Sequence, residues 1–481
     1  IDLGELYIDM DRLPEAEITL TKALERAEYV LGEQHPYTFD AMNALARAKE
    51  AARKYAEAID VRALGFQRRS EYLDRLLWVT GENAREGYLR LHRPEFNAYI
   101  SLLAREGGAE AGKRIVEASL KRKGLLLKVT SEIQQIAQLS NDPELSATAA
   151  ELEAARKDLA SMTLSGPTSE TQGRHTEVLY ELERKVNELQ GLLGRASVRY
   201  RSSIANVTAG AVESVLVARD SAFVDFLAYE DGGEDKLIAG VMISEGGEVR
   251  YDVVLYPDRS ALEEAVIEYR TYIQDEGADD DEILEVGQVA HELVWQPVLE
   301  AIGDIDYVYL VPDGILNVLP FNALVDLDET YVIQSHDLHI LTSGRDLLPN
   351  EYRLADGEYV ILAGPNYDSE EVVSQDELLA AQGRRSTALQ LGIRGGASGL
   401  RGLNFEPLPG AEQEGRLIVD RVAEQERSQQ TYFQDEAQEE VLAQLDEPPQ
   451  LLHVATHGFF LEADDTLRKR LLKLQIGRAH V

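Results

Sequence analysis

The chain contains no cysteine. Disulfides and thiolate-ligated metal sites are therefore excluded, and so is any cysteine nucleophile within these 481 residues. Basic residues are scarce beside acidic ones, 48 against 86, for a formal charge of −38. Nonspecific nucleic-acid binding needs a basic face that displaces counterions, so no direct nucleic-acid partner is expected. The carboxylate excess reads first as a solvated acidic surface, and it would favour basic partners or substrates. No apolar run approaches a membrane span, and no signal-peptide pattern is present. The Gly-rich GIRGGASGLRG (392–402) is not followed by Lys-Ser/Thr, so it is not a phosphate loop. It reads as a flexible insertion in the loop-like stretch 366–405. No cofactor and no metal are expected. With 44% hydrophobic and 28% charged residues, the composition is that of a soluble, cytoplasmic globular protein. The chain opens at Ile1, inside a helical pattern, so an upstream start is expected to be missing.

What is present first is an internal repeat. Residues 3–31 align with 45–73 at an offset of 42. Leu3 matches Leu45, Leu13 matches Tyr55, Glu15-Ala16 matches Glu57-Ala58, and Ala23-Leu24 matches Gly65-Phe66. Small residues fall where paired helices must approach closely, and large apolar ones where a neighbouring repeat is filled. The link LGEQHPYT (31–38) opens the next helix, with Pro36 near its first turn. The pattern resembles the long tetratricopeptide repeats of the kinesin-light-chain type, over residues 1–73.

Residues 74–162 continue as helices. After the Gly/Pro/Ser/Thr loop TLSGPTSETQG (163–173), Leu179, Leu182, Val186, Leu189, Leu193 and Ala196 recur at alternating three and four. The stripe is too short to require an intermolecular coiled coil. A helical hairpin folded around the loop, within a helical linker spanning 74–205, is the better reading. Near residue 210 the character changes. AFVDFLAY (222–229), LIAGVMI (237–243) and VRYDVVLY (249–256) are β-branched and aromatic runs separated by Gly-rich turns, which predicts a strand meander. Helical patterns follow at 260–275 and 281–301. YVYLVP (307–312), YVILAGP (359–365) and LLHVAT (451–456) then alternate with helices such as 410–425 and 436–445, which implies an α/β layered domain.

The strongest chemical signal is LLHVATHGFF (451–460). It places His457 at the carboxyl end of an apolar strand, where open α/β sheets gather ligands. A histidine there can act as general acid or base, and the N–H of Gly458 can face a developing oxyanion. His453 shares strand parity with His457, but a packed core histidine is favoured for it, as for His336 and His339. Asp313, ahead of Gly314, reads as a turn residue.

The ordered motifs YLVPDGILNVLPFNAL (309–324), TSGRDLL (342–348), YVILAGPNYD (359–368), LPGAEQEGRLI (408–418), DEAQEEVL (435–442) and LLHVATHGFF resemble the CHAT domain family. These are caspase-like proteins found behind tetratricopeptide repeats. The resemblance implies an α + α/β chain, with helical repeats and a hairpin followed by an incomplete caspase-like α/β sandwich over 206–475. It implies that His457 is the catalytic histidine of a cysteine endopeptidase and that Gly458 supplies an oxyanion N–H. It implies structural roles for Pro312-Asp313-Gly314, Pro320-Phe321 and Pro409-Gly410. In caspases the nucleophile lies about 50 residues beyond the histidine. Here only Phe459 to Val481 follow, so the chain is expected to stop before the nucleophilic cysteine and to be inactive as given. The final IGRAHV (476–481) matches one reading frame of sequencing-adapter DNA and is expected to be a non-native tail, which removes His480 from the site. The expected partners are a protein or peptide substrate and a regulatory protein on the repeats, with no membrane. The alternative reading is a non-catalytic repeat scaffold with a dead peptidase fold.

Overall fold

The computed structural model describes residues 1–139, 142–165, 174–197, 208–275, 277–348, 357–366, 408–425, 427–438, 441–442, 445 and 449–456. The chain divides into two compact units, one of residues 1–162 and 167–349, the other of 163–166 and 350–481.

Helical hairpins open the first unit. α1 (Asp2–Asp9) pairs with α2 (Leu13–Leu31), and α3 (Pro36–Ala51) with α4 (Tyr55–Trp78). The 42-residue offset is written into their turns. Asp11 and Arg53 both take positive φ, 57° and 58°. The N–H groups of Arg12 and Lys54 donate back to the carbonyls of Tyr7 and Lys49, each at 2.8 Å. Ala16 and Ala58 are both fully buried, and their small side chains let the helices close up. Leu3 is 53% exposed whereas its counterpart Leu45 is 4% exposed. Leu45 is covered by Ala16 and Leu20 of the preceding hairpin.

The helical region continues through α5 (Glu82–Leu91), α6 (Arg93–Glu106), α7 (Gly108–Arg122), α8 (Leu125–Leu139), α9 (Pro143–Ser165), α10 (His175–Ser197) and α11 (Ala209–Val217). The heptad residues Val186, Leu189 and Leu193 of α10 are buried against Leu145 and Leu152 of α9, Val129 and Ile133 of α8, and Trp78. The stripe is thus satisfied inside the chain.

His92 sits between α5 and α6, half-buried near Arg69. Burial first, then the Arg69 charge, pushes its pKa down from 6.5 to about 4. A histidine whose folded pKa is depressed binds more protons unfolded than folded between those values. Its contribution is therefore complete above pH 6.5 and lost as pH falls from 6.5 toward 4. Discounting for its contact with water, we expect a loss of about 1–2 kcal/mol across that window. Thermal unfolding of wild type and His92→Gln between pH 4 and 7 checks this. The variant should show the shallower pH dependence, and parallel curves would remove His92 as the cause.

The meander forms as predicted. β1 (Ser221–Asp231), β2 (Glu234–Glu245) and β3 (Glu248–Tyr256) pair antiparallel. Each turn is a Gly-Gly pair with both φ values positive, 66° and 85° at Gly232-Gly233 and 59° and 84° at Gly246-Gly247. That is the two-residue hairpin geometry that glycine enters at no steric cost. β4 (Tyr307–Val311) adds parallel to β1, and β5 (Asp337–Ile340) parallel to β4, in the order β3-β2-β1-β4-β5.

Both faces of this sheet are covered, which is why β1 reads as a continuous apolar run and not as an alternation. On one face Val224, Phe226 and Val241 pack with Trp295, Val298 and Phe321. These belong to a layer that includes α12 (Arg259–Gln274), α13 (Asp280–Ala290) and α14 (Gln296–Ile302). Between α13 and α14 the helix widens to a π turn, His291–Trp295, just ahead of Pro297, which brings no N–H to the ladder. Within that turn the Val294 carbonyl accepts from the Tyr256 hydroxyl at 3.0 Å. On the other face Phe223 and Met242 meet Val116 and Leu120 of α7, and Leu227 and Ile238 meet Ile100 and Leu103 of α6. Gly112 permits this approach, since a Cβ there would lie 2.5 Å from the Asp252 carbonyl oxygen. The path from β4 to β5 includes a short helix, α15 (Val332–Ser335).

The second unit contains a parallel three-stranded sheet, β6 (Tyr359–Pro365), β7 (Gln429–Gln434) and β8 (Leu451–Ala455), in the order β7-β6-β8, with α16 (Pro409–Glu424) packed on it. LLHVAT is expected as a strand beside an unpaired sheet edge; among the described residues it pairs with β6 on one side and no described segment supplies a partner for the other. Leu452 and Val454 are correspondingly exposed. The insertion 392–402 lies outside the described residues, as does part of the expected helix 436–445. Among the described residues no helix is long and apolar enough to cross a membrane.

Candidate active site

Because β6, β7 and β8 are all parallel, their carboxyl ends share one edge of the sheet. Three elements close in there. Gly364, with φ of 57°, lets β6 pass α16, since a Cβ would lie 2.9 Å from Cβ of Glu412. Gly415 does the same from the helix, where a Cβ would lie 2.3 Å from Cβ of Ala363. Beyond the strands, the Asn366 amide donates to Asp435 at 2.7 Å, and the Gln434 amide donates to Glu412 at 3.0 Å. The bond from Gln434, then that from Arg416, holds the Glu412 carboxyl below its usual range. β8 ends at Ala455, and Thr456 is exposed. His457 and Gly458, the two residues the sequence assigns to catalysis, lie outside the described residues, as do 476–481.

His453 is partly buried, with Nε2 3.2 Å from Glu414 on α16. It belongs to the packed side of the sheet, as its strand position suggests. His336 rests edge-on against Trp295, with ring centres 5.6 Å apart, and its Nδ1 lies 2.9 Å from the Ser335 hydroxyl. His339 lies on β5 beside Tyr307, ring centres 4.5 Å apart. Asp313 ties strands together: its carboxylate accepts from the N–H of Ala228 at 2.8 Å and from that of Gly314 at 2.9 Å.

Residues 284–475 match the family model of the CHAT domain, and residues 1–61 match that of the tetratricopeptide repeat. The chain carries a CHAT domain behind tetratricopeptide repeats. The CHAT span begins inside α13 and takes in β4 to β8, so it includes the strand edge just described. The sheet to which β4 and β5 belong draws its other strands from residues 221–256, ahead of that span. No curated protein matches the chain.

One charged cluster ahead of the CHAT span escaped the sequence reading. Lys123 Nζ lies 2.8 Å from Asp225 Oδ1, 3.3 Å from the Val311 carbonyl and 3.1 Å from that of Pro312, and it also donates to the Phe226 carbonyl. The acceptors more than fill the ammonium's three N–H bonds, which leaves none for a ligand. The cluster is a structural clasp between the α7–α8 link, the middle of β1 and the carboxyl end of β4. The one available signal was Asp225 itself, a lone carboxylate inside AFVDFLAY.

Proposed function

We propose that the CHAT region of this chain is the histidine-bearing part of a caspase-like cysteine endopeptidase, with the repeats binding a regulatory protein or the substrate. The observation that carries the reading is the strand-end setting. β8 brings Thr456, the residue before His457, to the carboxyl edge of a parallel sheet, and its outer edge has no partner among the described residues.

In the proposed chemistry His457 accepts the proton of a cysteine thiol that this chain does not contain. The thiolate attacks the scissile carbonyl carbon, and the Gly458 N–H donates to the resulting oxyanion. The imidazolium returns its proton to the leaving amine, and water hydrolyses the thioester. The acidic balance suits cleavage after a basic residue, in a cytoplasmic setting. The polypeptide alone has no thiol, so it is expected to show no turnover of a peptide library above background. Activity that survives purification and disappears in His457→Ala would refute this assignment.

A second reading is that the repeats and the peptidase fold serve only to bind proteins. The natural sequence following this segment discriminates the two, since a cysteine at the end of a further core strand supports the enzyme.

A further inference from the structure

A groove of ≈ 420 Å³ lies between α6 and the turn joining β1 to β2, within the first unit. Its floor is a stripe at four-residue spacing on α6: Arg93, Asn97, Ser101 and Arg105. Asn97 and Ser101 are only 7% and 6% exposed. Yet Asn97 Oδ1 and Ser101 Oγ have no hydrogen-bond partner among the described residues. A buried polar atom left unpaired costs about 1–3 kcal/mol, and such groups are rare unless something else pairs them. Helical periodicity does not require these residue types here, because the flanking Ile100 and Leu103 face the core.

The charges at the rim are divided. Arg105 is already paired with Asp231 at 3.1 Å, and Lys236 takes the same carboxylate at 3.0 Å. Arg93 at the other end of the stripe makes only a 3.5 Å contact to the Ala228 carbonyl and has no ion pair among the described residues. Glu230 on the facing turn is exposed and likewise without an ion pair among them. The groove thus offers one cation, one anion and two unpaired polar groups. A nucleotide is a poor match, since no aromatic ring lines the groove for a base and carboxylates at the rim repel phosphate.

We propose that this groove binds an extended peptide segment bearing one acidic and one basic side chain. Backbone amides pair with Asn97 and Ser101, the acidic side chain with Arg93 and the basic one with Glu230. From Arg93 to Arg105 the stripe runs about 18 Å, the span of about five extended residues. The site does not depend on the peptidase reading, since it uses neither His457 nor any thiol.

The test is binding of the purified chain to an array of pentapeptides that place one Asp or Glu and one Lys or Arg at every pair of positions. Uncharged pentapeptides and inorganic phosphate serve as comparison arms. Peptides with both charges, in one polarity, should bind best. Asn97→Leu with Ser101→Ala should weaken that binding about tenfold while Tm stays equal or rises, because unpaired buried polar atoms are removed. Arg93→Gln, at an exposed position, should erase the preference for the acidic residue, and Glu230→Gln the preference for the basic one. If the buried pair of changes impairs folding, these two surface variants decide. The proposal is overturned if charged and uncharged peptides bind alike, if the surface variants leave the preference intact, or if phosphate competes for the site.

Discussion

Lys123→Met is expected to destabilise the first unit by about 3–5 kcal/mol, the range for removing one partner of a buried ion pair. Asp225 is 1% exposed, and Lys123 is its ion-pair partner at 2.8 Å. Its second oxygen has no hydrogen bond among the described residues. Burial already pushes the Asp225 carboxyl up, against the pull of Lys123. Without the ammonium the carboxyl is pushed higher still and takes up a proton on folding. A buried acid whose folded pKa exceeds its unfolded value contributes fully below the unfolded pKa, and that contribution is lost as pH rises through the folded one. The variant should therefore lose more stability between pH 5 and pH 8 than wild type does. Pairing the change with Asp225→Leu should recover most of the loss, because both charges are then gone from the interior. The readout is built in: the chain's two tryptophans, Trp78 and Trp295, are both buried in this unit. Urea unfolding followed by their fluorescence reports on it directly. A single-variant cost below about 1 kcal/mol, as for an exposed pair, would show that the clasp is solvated.

That clasp marks where sequence reasoning stops. The Gly-Gly turns, the 42-residue offset and the parallel strands were legible because each is local: a turn dipeptide, a periodicity or a run of β-branched residues. Lys123 and Asp225 stand 102 residues apart, and nothing near either one names the other. The same holds for α6 and α7. Their amphipathic patterns announce helices that bury one face, but not that Gly112 brings α7 against the backbone of β3. The π turn before Pro297 and the left-handed residues Asp11 and Arg53 were unreadable for a related reason, because neither depends on a residue type that demands it. At the candidate site, the strand β8 ahead of the His-Gly pair was legible and its sheet neighbours were not. Pairing order is a tertiary choice, and β8 at an edge fits the pattern of LLHVAT as well as β8 in the centre.

In a protein that combines this chain with its natural following sequence and a cysteine nucleophile, His457→Ala should lower single-turnover cleavage by about 10²–10⁴-fold, the usual contribution of a positioned acid/base. The loss has a definite origin. A thiol at its ordinary pKa is mostly protonated at neutral pH, and a nearby imidazole both removes the proton and stabilises the thiolate. Deleting the imidazole also removes the acid that protonates the leaving amine. The Gly458 N–H would remain, so a residual rate above the uncatalysed one should persist. Folding should change little, since β8 already stands on its ladder with β6 through Leu451–Ala455, ahead of His457. The pH profile separates roles: a catalytic imidazole adds an ionisation near neutral pH that the alanine variant lacks, whereas a packing residue would leave the profile's shape unchanged. Measurements with and without a protein bound to the repeats test regulation in the same assay. Equal rates for His457→Ala and wild type would assign the histidine a structural role and leave the binding scaffold as the better description of the chain.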